Sequence, residues 1–210
     1  MNAIPKPFLS GLAAWIFLLA LSLLSHPGHG AAEVGKPAPA FTLMNSNGEA
    51  VSLSDFKGKF VVLEWTSHAC PFVKKFYQSG MMQEWQEAAA KKGVTWLTIC
   101  SSGTGMPGHM TNAQWSAKIR ESEIKSIVLI DEDGAVGIDY EAKTTPHMFV
   151  INPEGILIYA GAIDSKPSTH PEDIPTATNY VLTALEEAMA GKEVSTSVTP
   201  AYGCGVKYGK

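Results

Sequence analysis

The sequence lacks dense charge of either sign. Charged residues make up 17% of the 210 residues, and the formal net charge is −4, with the acidic excess spread along the chain. Basic residues form no block and do not alternate with aromatic ones, as they do on nucleic-acid-binding surfaces. We therefore expect no nucleic-acid partner. Because 45% of the residues are hydrophobic and no repeat is visible, one domain with a full core is predicted.

Closely spaced cysteines are also absent. The three cysteines stand far apart, at Cys70, Cys100 and Cys204, and the position three residues after Cys70 is Val73. A dithiol switch within one helical turn is therefore missing, and no cysteine pair has metal-binding spacing. We expect neither a metal nor a cofactor. An odd number of cysteines leaves one unpaired, or available for an intermolecular bond.

The first thirty residues differ from the rest of the chain. Lys6 precedes an apolar run at 11–24, and small residues follow at Gly30, Ala31 and Ala32. This order predicts a secretory signal over residues 1–32, followed by a mature domain over residues 33–210. The run is shorter than the roughly 20 residues of a membrane span, and an uncleaved anchor is the alternative. Export implies a periplasmic or other extracytoplasmic location, where cysteines can form disulfides.

The most informative stretch surrounds the first cysteine. Residues 60–63 form a buried strand pattern, and a helical pattern begins after Cys70 and Pro71. Proline is favoured in the first turn of a helix, so Cys70 is predicted at the helix N-terminus with unpaired backbone N–H groups near its sulfur. These groups favour a thiolate, and Lys74 and Lys75 are expected to act in the same direction. Cys70 is therefore the candidate nucleophile.

The predicted elements alternate after this strand. Helices are expected over 71–92 with a kink at Ser79-Gly80, over 111–122 and over 176–190, and a β-hairpin is expected over 147–160. The order β-α-β-α-β-α-β-β-α predicts parallel strands with crossover helices and a final antiparallel hairpin. The fold class is therefore α/β, a three-layer α/β/α sandwich with a mixed central sheet.

Three motifs occur together in this chain: a strand ending in Trp65, a Cys-Pro helix start, and Thr145-Pro146 directly before a strand. Together they resemble the motifs of the thioredoxin-fold superfamily. Ser67, three residues before the cysteine, resembles the peroxiredoxin pattern. The segments ACPFVKK, YAGAIDSKP and YGCGVKY are similar to the peroxiredoxin-like redoxin group with an AhpC/TSA-type domain, over roughly residues 34–208.

This resemblance implies an exported thiol-based oxidoreductase. Cys70 would attack a peroxide or a protein or small-molecule disulfide as a thiolate stabilised by Ser67. A hydroxyl that only caps the loop is the alternative for Ser67. Cys204, or alternatively Cys100, would resolve the product, and a thiol reductant protein would recycle the enzyme. The substrate groove would be formed by Pro71, Thr145 and Pro146. Pairing of Cys100 competes with simple packing of a buried strand-end thiol.

The sequence also departs from the peroxiredoxin pattern. Leu63 stands where peroxiredoxins have proline, and the segment before Met148 carries no arginine. These departures support a second hypothesis, a non-catalytic binding or chaperone-like module with a permanent Cys70–Cys204 disulfide. Glu64 is interpreted as a polar residue facing a sheet edge, although a carboxylate there can carry protons. His68 is interpreted as a solvated loop residue rather than a base.

Overall fold

A mixed sheet of seven strands forms the centre of the protein in a computed structural model, which describes Met1 and residues 31–209. The apolar run of the predicted signal segment lies outside the described residues. Within the described part of the chain, no helix has the length and apolar character needed to cross a membrane.

The element bounds follow the chain in order. Within residues 31–209 the strands are β1 Thr42–Asn45, β2 Ala50–Ser52, β3 Val61–Trp65, β4 Thr95–Cys100, β5 Ile127–Ile130, β6 Thr144–Thr145, β7 His147–Ile151, β8 Leu157–Gly161 and β9 Cys204–Gly205. The α-helices of the same range are α1 Pro71–Gln78, α2 Met81–Lys91, α3 Asn112–Glu121, α4 Ala135–Asp139 and α5 Tyr180–Met189. Short 3₁₀ turns lie at Leu53–Phe56 and Pro171–Thr176.

The large sheet has the strand order β2-β1-β5-β4-β3-β7-β8. Strands β3, β4 and β5 run parallel, while β1 and β7 pair antiparallel with the outer members of that group. All five residues of β3 are buried, as expected for a strand covered on both faces. The predicted three-layer α/β/α sandwich with a mixed sheet is confirmed.

Alternation along β3 divides the core between the two faces of the sheet. On one face, Val62 packs with Phe76 of α1 and with residues of α2 and α5. On the other face, Leu63 and Trp65 pack with Tyr140, which follows α4. The carboxyl ends of β3 and β4 lie side by side, and the loops that follow them meet at one edge of the sheet.

Two helix bounds differ from the sequence prediction. The kink expected at Ser79-Gly80 is a complete break, because Gly80 adopts φ +81° and is the N-cap of α2. The last helix begins at Tyr180 rather than at 176. Asn179 caps it by accepting a hydrogen bond from the Leu182 N–H at 2.9 Å. The 3₁₀ turn over Pro171–Thr176 occupies the preceding residues.

The C-terminal tail, defined here as residues 202–208, forms a strand pairing that the sequence did not predict. Strand β9 pairs antiparallel with β6, with Thr145 opposite Cys204 and Thr144 opposite Gly205. This two-stranded sheet is separate from the large one, and it brings the tail to the edge where β3 and β4 end.

Candidate active site

Cys70 begins helix α1 as its N-cap residue. Its backbone is extended, and Pro71 occupies the first helical turn, as the sequence predicted. The Cys70 N–H donates to the Ser67 carbonyl at 3.0 Å. The cysteine is only 3% exposed, and its thiol donates to the Thr145 carbonyl at 3.0 Å. The loop 66–70 therefore holds the sulfur against strand β6.

Thr145 joins the two cysteines that the sequence singled out. Its peptide bond to Pro146 is cis, and in β6 it lies opposite Cys204. The Thr145 hydroxyl lies 3.5 Å from the Cys204 carbonyl and also hydrogen-bonds the Cys70 sulfur. Cys204 lies close enough to lower the pKa of Cys70, and both cysteines are free thiols. The pairing of β6 with β9 thus places the second thiol beside the first.

The two thiols have opposite pKa shifts. Burial raises the pKa of Cys70, but hydrogen bonds from the Cys204 thiol, the Thr145 hydroxyl and the backbone N–H groups of Cys204 and Val73 outweigh it, so the pKa lies below its usual value. The Val73 N–H belongs to the first turn of α1, as expected for a helix N-terminus. Burial, together with the hydrogen bond and charge of Cys70, raises the pKa of Cys204 to about 11.

A small cavity of about 170 Å³ opens beside the two thiols. The residues that line it come from the loop 66–70, the loop after β4, β6 and the tail: Thr66, Ser67, Ala69, Cys70, Ser102, Pro107, Thr145, Cys204, Gly205, Val206 and Lys207. Of the predicted groove residues, Thr145 lies on its wall. Pro146 is buried and Pro71 is exposed, and neither lines this cavity.

The hydroxyl of Ser67 lies against Gly108, where an added β-carbon would collide with its oxygen. The hydrogen bonds that lower the Cys70 pKa come from other groups, so stabilisation of the thiolate by Ser67 stays a prediction.

Comparison with known protein families assigns most of this chain, including Cys70 and Thr145, to one family. The model of the AhpC/TSA family matches residues 34–160, more than half of the chain. The chain belongs to the AhpC/TSA family. The matched range includes Cys70 and Thr145, and it ends before the tail that carries Cys204.

Relatives and solved structures extend the comparison. A thiol-disulfide oxidoreductase, ResA of Bacillus thuringiensis, is 28% identical over 126 residues, which are 60% of this chain and 68% of that protein. An uncharacterized conserved protein from Geobacillus kaustophilus has a similar crystal structure, with a TM-score of 0.72, 24% identity, and coverage of 84% of this chain and 93% of that one. The thioredoxin domain of a thiol-disulfide oxidoreductase from Bacteroides vulgatus gives a TM-score of 0.52 at 21% identity, with coverage of 70% and 98%. The fold is thioredoxin-like, and this AhpC/TSA protein is a thiol-based oxidoreductase.

Charged neighbours of Cys70 in this AhpC/TSA chain differ from the prediction. Lys75 does not face the thiol, because its side chain is fully buried and pairs with Asp164 at 3.4 Å. Lys74 is exposed and lines a different cleft, beside His68. The expected effect of both lysines on Cys70 is therefore wrong, since hydrogen bonds lower its pKa instead.

Cys100 lies at the end of β4 and is buried like Cys70. It packs with Trp115 of α3 and Val128 of β5, and its thiol faces the Gly108 carbonyl at 3.8 Å. Burial raises its pKa. It does not line the 170 Å³ cavity, which favours the packing interpretation of this cysteine over a pairing with Cys70.

The interpretation of Glu64 as an edge-facing residue is wrong. Strand β3 has a partner on each side, and Glu64 is completely buried in it. Its carboxylate accepts hydrogen bonds from Trp96 Nε1 at 2.9 Å, from the Tyr77 hydroxyl at 3.0 Å and from Thr98 Oγ1 at 3.2 Å. Burial raises its pKa in spite of these donors. A single charged residue inside an apolar strand pattern was the signal for this buried network.

His68 is half-buried rather than solvated. Its ring packs edge-to-face against Trp115, with the ring centroids 6.3 Å apart. Its Nδ1 has no hydrogen-bond partner among the described residues. Burial lowers its pKa, and the nearby charges of Lys118 and Lys74 add to this effect. It lines the cleft between α1, α2 and α3, whereas Cys70 lines the smaller cavity.

Proposed function

We propose that this protein is a two-cysteine oxidoreductase in which Cys70 attacks the oxidising substrate and Cys204 resolves the product. One observation carries the proposal: the β6–β9 pairing sets Cys204 opposite Thr145, whose carbonyl accepts the Cys70 thiol, and both cysteines line the same cavity. Cys70 combines a lowered pKa with a neighbouring cavity, which are the requirements for a reactive cysteine.

With a disulfide substrate, the reaction is an exchange of thiols. The Cys70 thiolate attacks one sulfur of the substrate, which forms a mixed disulfide and releases the other sulfur as a thiol. The Cys204 thiolate then attacks the Cys70 sulfur, which releases the second substrate thiol and forms the Cys70–Cys204 disulfide. Two electrons pass to the substrate, and an external dithiol reductant restores both thiols.

With a hydroperoxide, the same residues follow a parallel course. The Cys70 thiolate attacks the terminal oxygen, the O–O bond breaks and the leaving alkoxide or hydroxide takes a proton, so that Cys70 becomes a sulfenic acid. The Cys204 thiol then condenses with it, and water leaves as the Cys70–Cys204 disulfide forms. In both cases the substrate takes two electrons.

The reaction itself activates the resolving thiol. After burial, the main causes of the raised Cys204 pKa are the hydrogen bond and the charge of the Cys70 thiolate. Both disappear once Cys70 is part of a mixed disulfide or a sulfenic acid, whereas the charge of Lys207, which lowers the Cys204 pKa, remains. Cys204 therefore becomes a better nucleophile only after Cys70 has reacted.

We further propose that the mature domain of residues 33–210 works outside the cytoplasm, after export directed by residues 1–32. The apolar run at 11–24, with small residues after it, supports this assignment. A thiol reductant protein in that compartment would supply the electrons that recycle the disulfide.

The test is to map which cysteines become linked. The reduced mature protein is treated with one equivalent of hydrogen peroxide, or of a small disulfide in a parallel sample, and free thiols are then trapped for peptide mass spectrometry. We expect a Cys70–Cys204 link that dithiols reverse readily, with Cys100 alkylated throughout. A link already present before oxidation and resistant to thiols would instead support the binding module, and an inert Cys70 would overturn the proposal.

A further inference from the structure

The strand β6 is where an extended peptide beside Cys70 would pair. Exposed strand edges bind extended peptides through main-chain hydrogen bonds, with side-chain pockets adding specificity. Thr145 is the β6 residue whose carbonyl contacts the Cys70 thiol. In this protein the tail already pairs with that edge, with Cys204 opposite Thr145 and Gly205 opposite Thr144.

The tail fits closely against this edge. Gly203 adopts φ +134°, and a β-carbon added there would collide with the Thr145 carbonyl. The glycine is required because the tail backbone lies directly against the carbonyl that accepts the Cys70 thiol. No second chain can pair at this position while the tail is in place.

Tyrosines anchor the tail on both sides of Cys204. Before Cys204, the Tyr202 hydroxyl donates a hydrogen bond to Asp164. The Tyr202 ring packs edge-to-face against Phe72, with the ring centroids 5.8 Å apart. Asp164 is itself fixed by the buried ammonium group of Lys75. After Cys204, Tyr208 donates its hydroxyl to the Ala142 carbonyl at 2.6 Å.

Backbone contacts complete the second anchor. The Val206 N–H donates to the Lys143 carbonyl at 3.1 Å, and the Gly103 N–H donates to the Lys207 carbonyl at 3.0 Å. The tail is therefore attached to α1, to the loop after β8, to the segment before β6 and to the loop after β4. What remains open beside Cys70 is the cavity of about 170 Å³. That volume is below the roughly 300–1,000 Å³ of pockets that hold drug-sized ligands.

We propose that the tail sets the substrate selectivity of Cys70: compact oxidants react with the tail in place, whereas protein disulfides react only after it is released. The compact class comprises small hydroperoxides and low-molecular-weight disulfides, whose S–S or O–O bond reaches the sulfur without an extended backbone. Tyr202 and Tyr208 are the selectivity-determining residues. The inference rests on the proposed function of Cys70 and Cys204.

The test compares two disulfides in single turnovers, so that no recycling partner is needed. The reduced protein is mixed with 2-hydroxyethyl disulfide or with insulin, and loss of its thiols is followed over time. The double variant Tyr202→Phe, Tyr208→Phe keeps both cysteines and both rings but removes the two anchoring hydroxyls. We expect the ratio of its insulin rate to its small-disulfide rate to rise about tenfold, because release of the tail opens the edge of β6. The absolute rate with the small disulfide should fall, because the Cys204 groups that lower the Cys70 pKa leave with the tail.

Two control variants separate a change in substrate selectivity from a general loss of packing in the protein. Tyr180→Phe alters a tyrosine outside the tail and its anchors, and we expect both rates to match those of the unaltered protein. Gly203→Ala keeps both hydroxyls but forces the tail off the Thr145 carbonyl, and we expect the same rise in the ratio of the insulin rate to the small-disulfide rate. Circular dichroism melting shows whether each variant is folded.

The outcomes distinguish this inference from the function on which it rests. If the unaltered protein reacts equally fast with both disulfides, or if the tail variants leave the ratio of the two rates unchanged, the tail does not select substrates, although the two-cysteine cycle stands. If Cys70 reacts with neither disulfide nor with hydrogen peroxide, both proposals are wrong.

Discussion

Cys70 and Cys100 are equally buried, but their pKa values shift in opposite directions. Each is 3% exposed; Cys100 is the last residue of β4, and Cys70 ends the loop that follows the adjacent parallel strand β3. Nevertheless the pKa of Cys70 is lowered and that of Cys100 is raised. Burial disfavours the thiolate at both positions, so the difference comes from the groups that face each sulfur.

The donors around the two sulfurs differ in number and origin. Cys70 receives hydrogen bonds from the first turn of α1, from Thr145 of β6 and from Cys204 of the tail. Among the described residues, the backbone and hydroxyl of Ser102 offset the burial of Cys100, and the charge of Asp131 opposes ionisation further. The pKa of a buried thiol falls where separate chain segments converge on it with N–H, O–H and S–H groups.

The largest difference between the two cysteines should appear on their removal. Cys70→Ser should lower the rate of disulfide or peroxide reduction at least about a thousandfold, because the nucleophile is lost. Cys100→Ala should keep the rate within about twofold, because Cys100 lies outside the cavity. Steady-state assays with an added dithiol reductant measure both. Equal losses in the two variants would contradict the assignment of Cys70.

Loss of the neighbouring thiol should have a smaller effect. Cys204→Ser leaves Cys70 able to attack, but an external thiol must then resolve the mixed disulfide. We expect turnover to fall about a hundredfold, because an intramolecular step becomes bimolecular. Whole-protein mass spectrometry should show the Cys70 adduct accumulating. If the variant turns over at the normal rate and no adduct forms, Cys204 is not the resolving residue.

The sequence predicted the local half of this site. The Cys-Pro pair placed Cys70 at a helix N-cap, and Thr145-Pro146 before an apolar run placed the neighbouring loop. The resemblance implied that Cys204 comes to Cys70, but the sequence could not predict the strand pairing that brings it there, because Thr145 and Cys204 lie 59 positions apart. No periodicity marks a two-residue strand.

Contacts between residues distant in sequence also explain why the predictions for Lys75 and Glu64 were wrong. Lys75 follows Cys70 closely in sequence, and proximity along the chain suggested an effect on its thiol. The partner of Lys75 is instead Asp164, 89 positions away, and the ion pair lies inside the protein. Glu64 was misjudged because the strand order, which places β3 between β4 and β7, depends on contacts between distant segments.

A substitution at Thr145 tests the hydrogen-bond donors around Cys70 rather than the thiols themselves. Thr145→Val removes a hydroxyl that hydrogen-bonds the Cys70 sulfur while keeping the shape of the side chain. The pKa of Cys70 should rise, and its alkylation by iodoacetamide at pH 7 should slow about tenfold, since hydrogen bonds to charged groups are among the stronger ones. Thr144→Val is the matched control, because the Thr144 hydroxyl donates to the Pro146 carbonyl at 3.2 Å. Similar alkylation rates in both variants would show that the Thr145 hydroxyl does not stabilise the thiolate.

The smallest expected effect concerns stability against pH. The folded pKa of Cys100 lies above the unfolded value of about 8.5, so the folded state holds this proton more tightly. The resulting stabilisation is fully present below about pH 8.5 and is lost as pH rises from there through the folded pKa. For Cys70 the sign is reversed: its lowered folded pKa gives a stabilisation that is present above about pH 8.5 and is lost as pH falls through the folded pKa.

Removing each thiol should therefore change the pH profile in opposite ways. Cys100→Ala should lose less stability than the unaltered protein between about pH 8.5 and 10, by at most about 1.4 kcal/mol per pH unit. Cys70→Ala should lack the gain in stability as pH rises towards about 8.5. Urea denaturation of the reduced proteins at several pH values measures both slopes. Parallel profiles for Cys100→Ala and the unaltered protein would mean that Cys100 ionises as readily when folded as when unfolded, and the contrast between the two cysteines would then not depend on their hydrogen-bond donors.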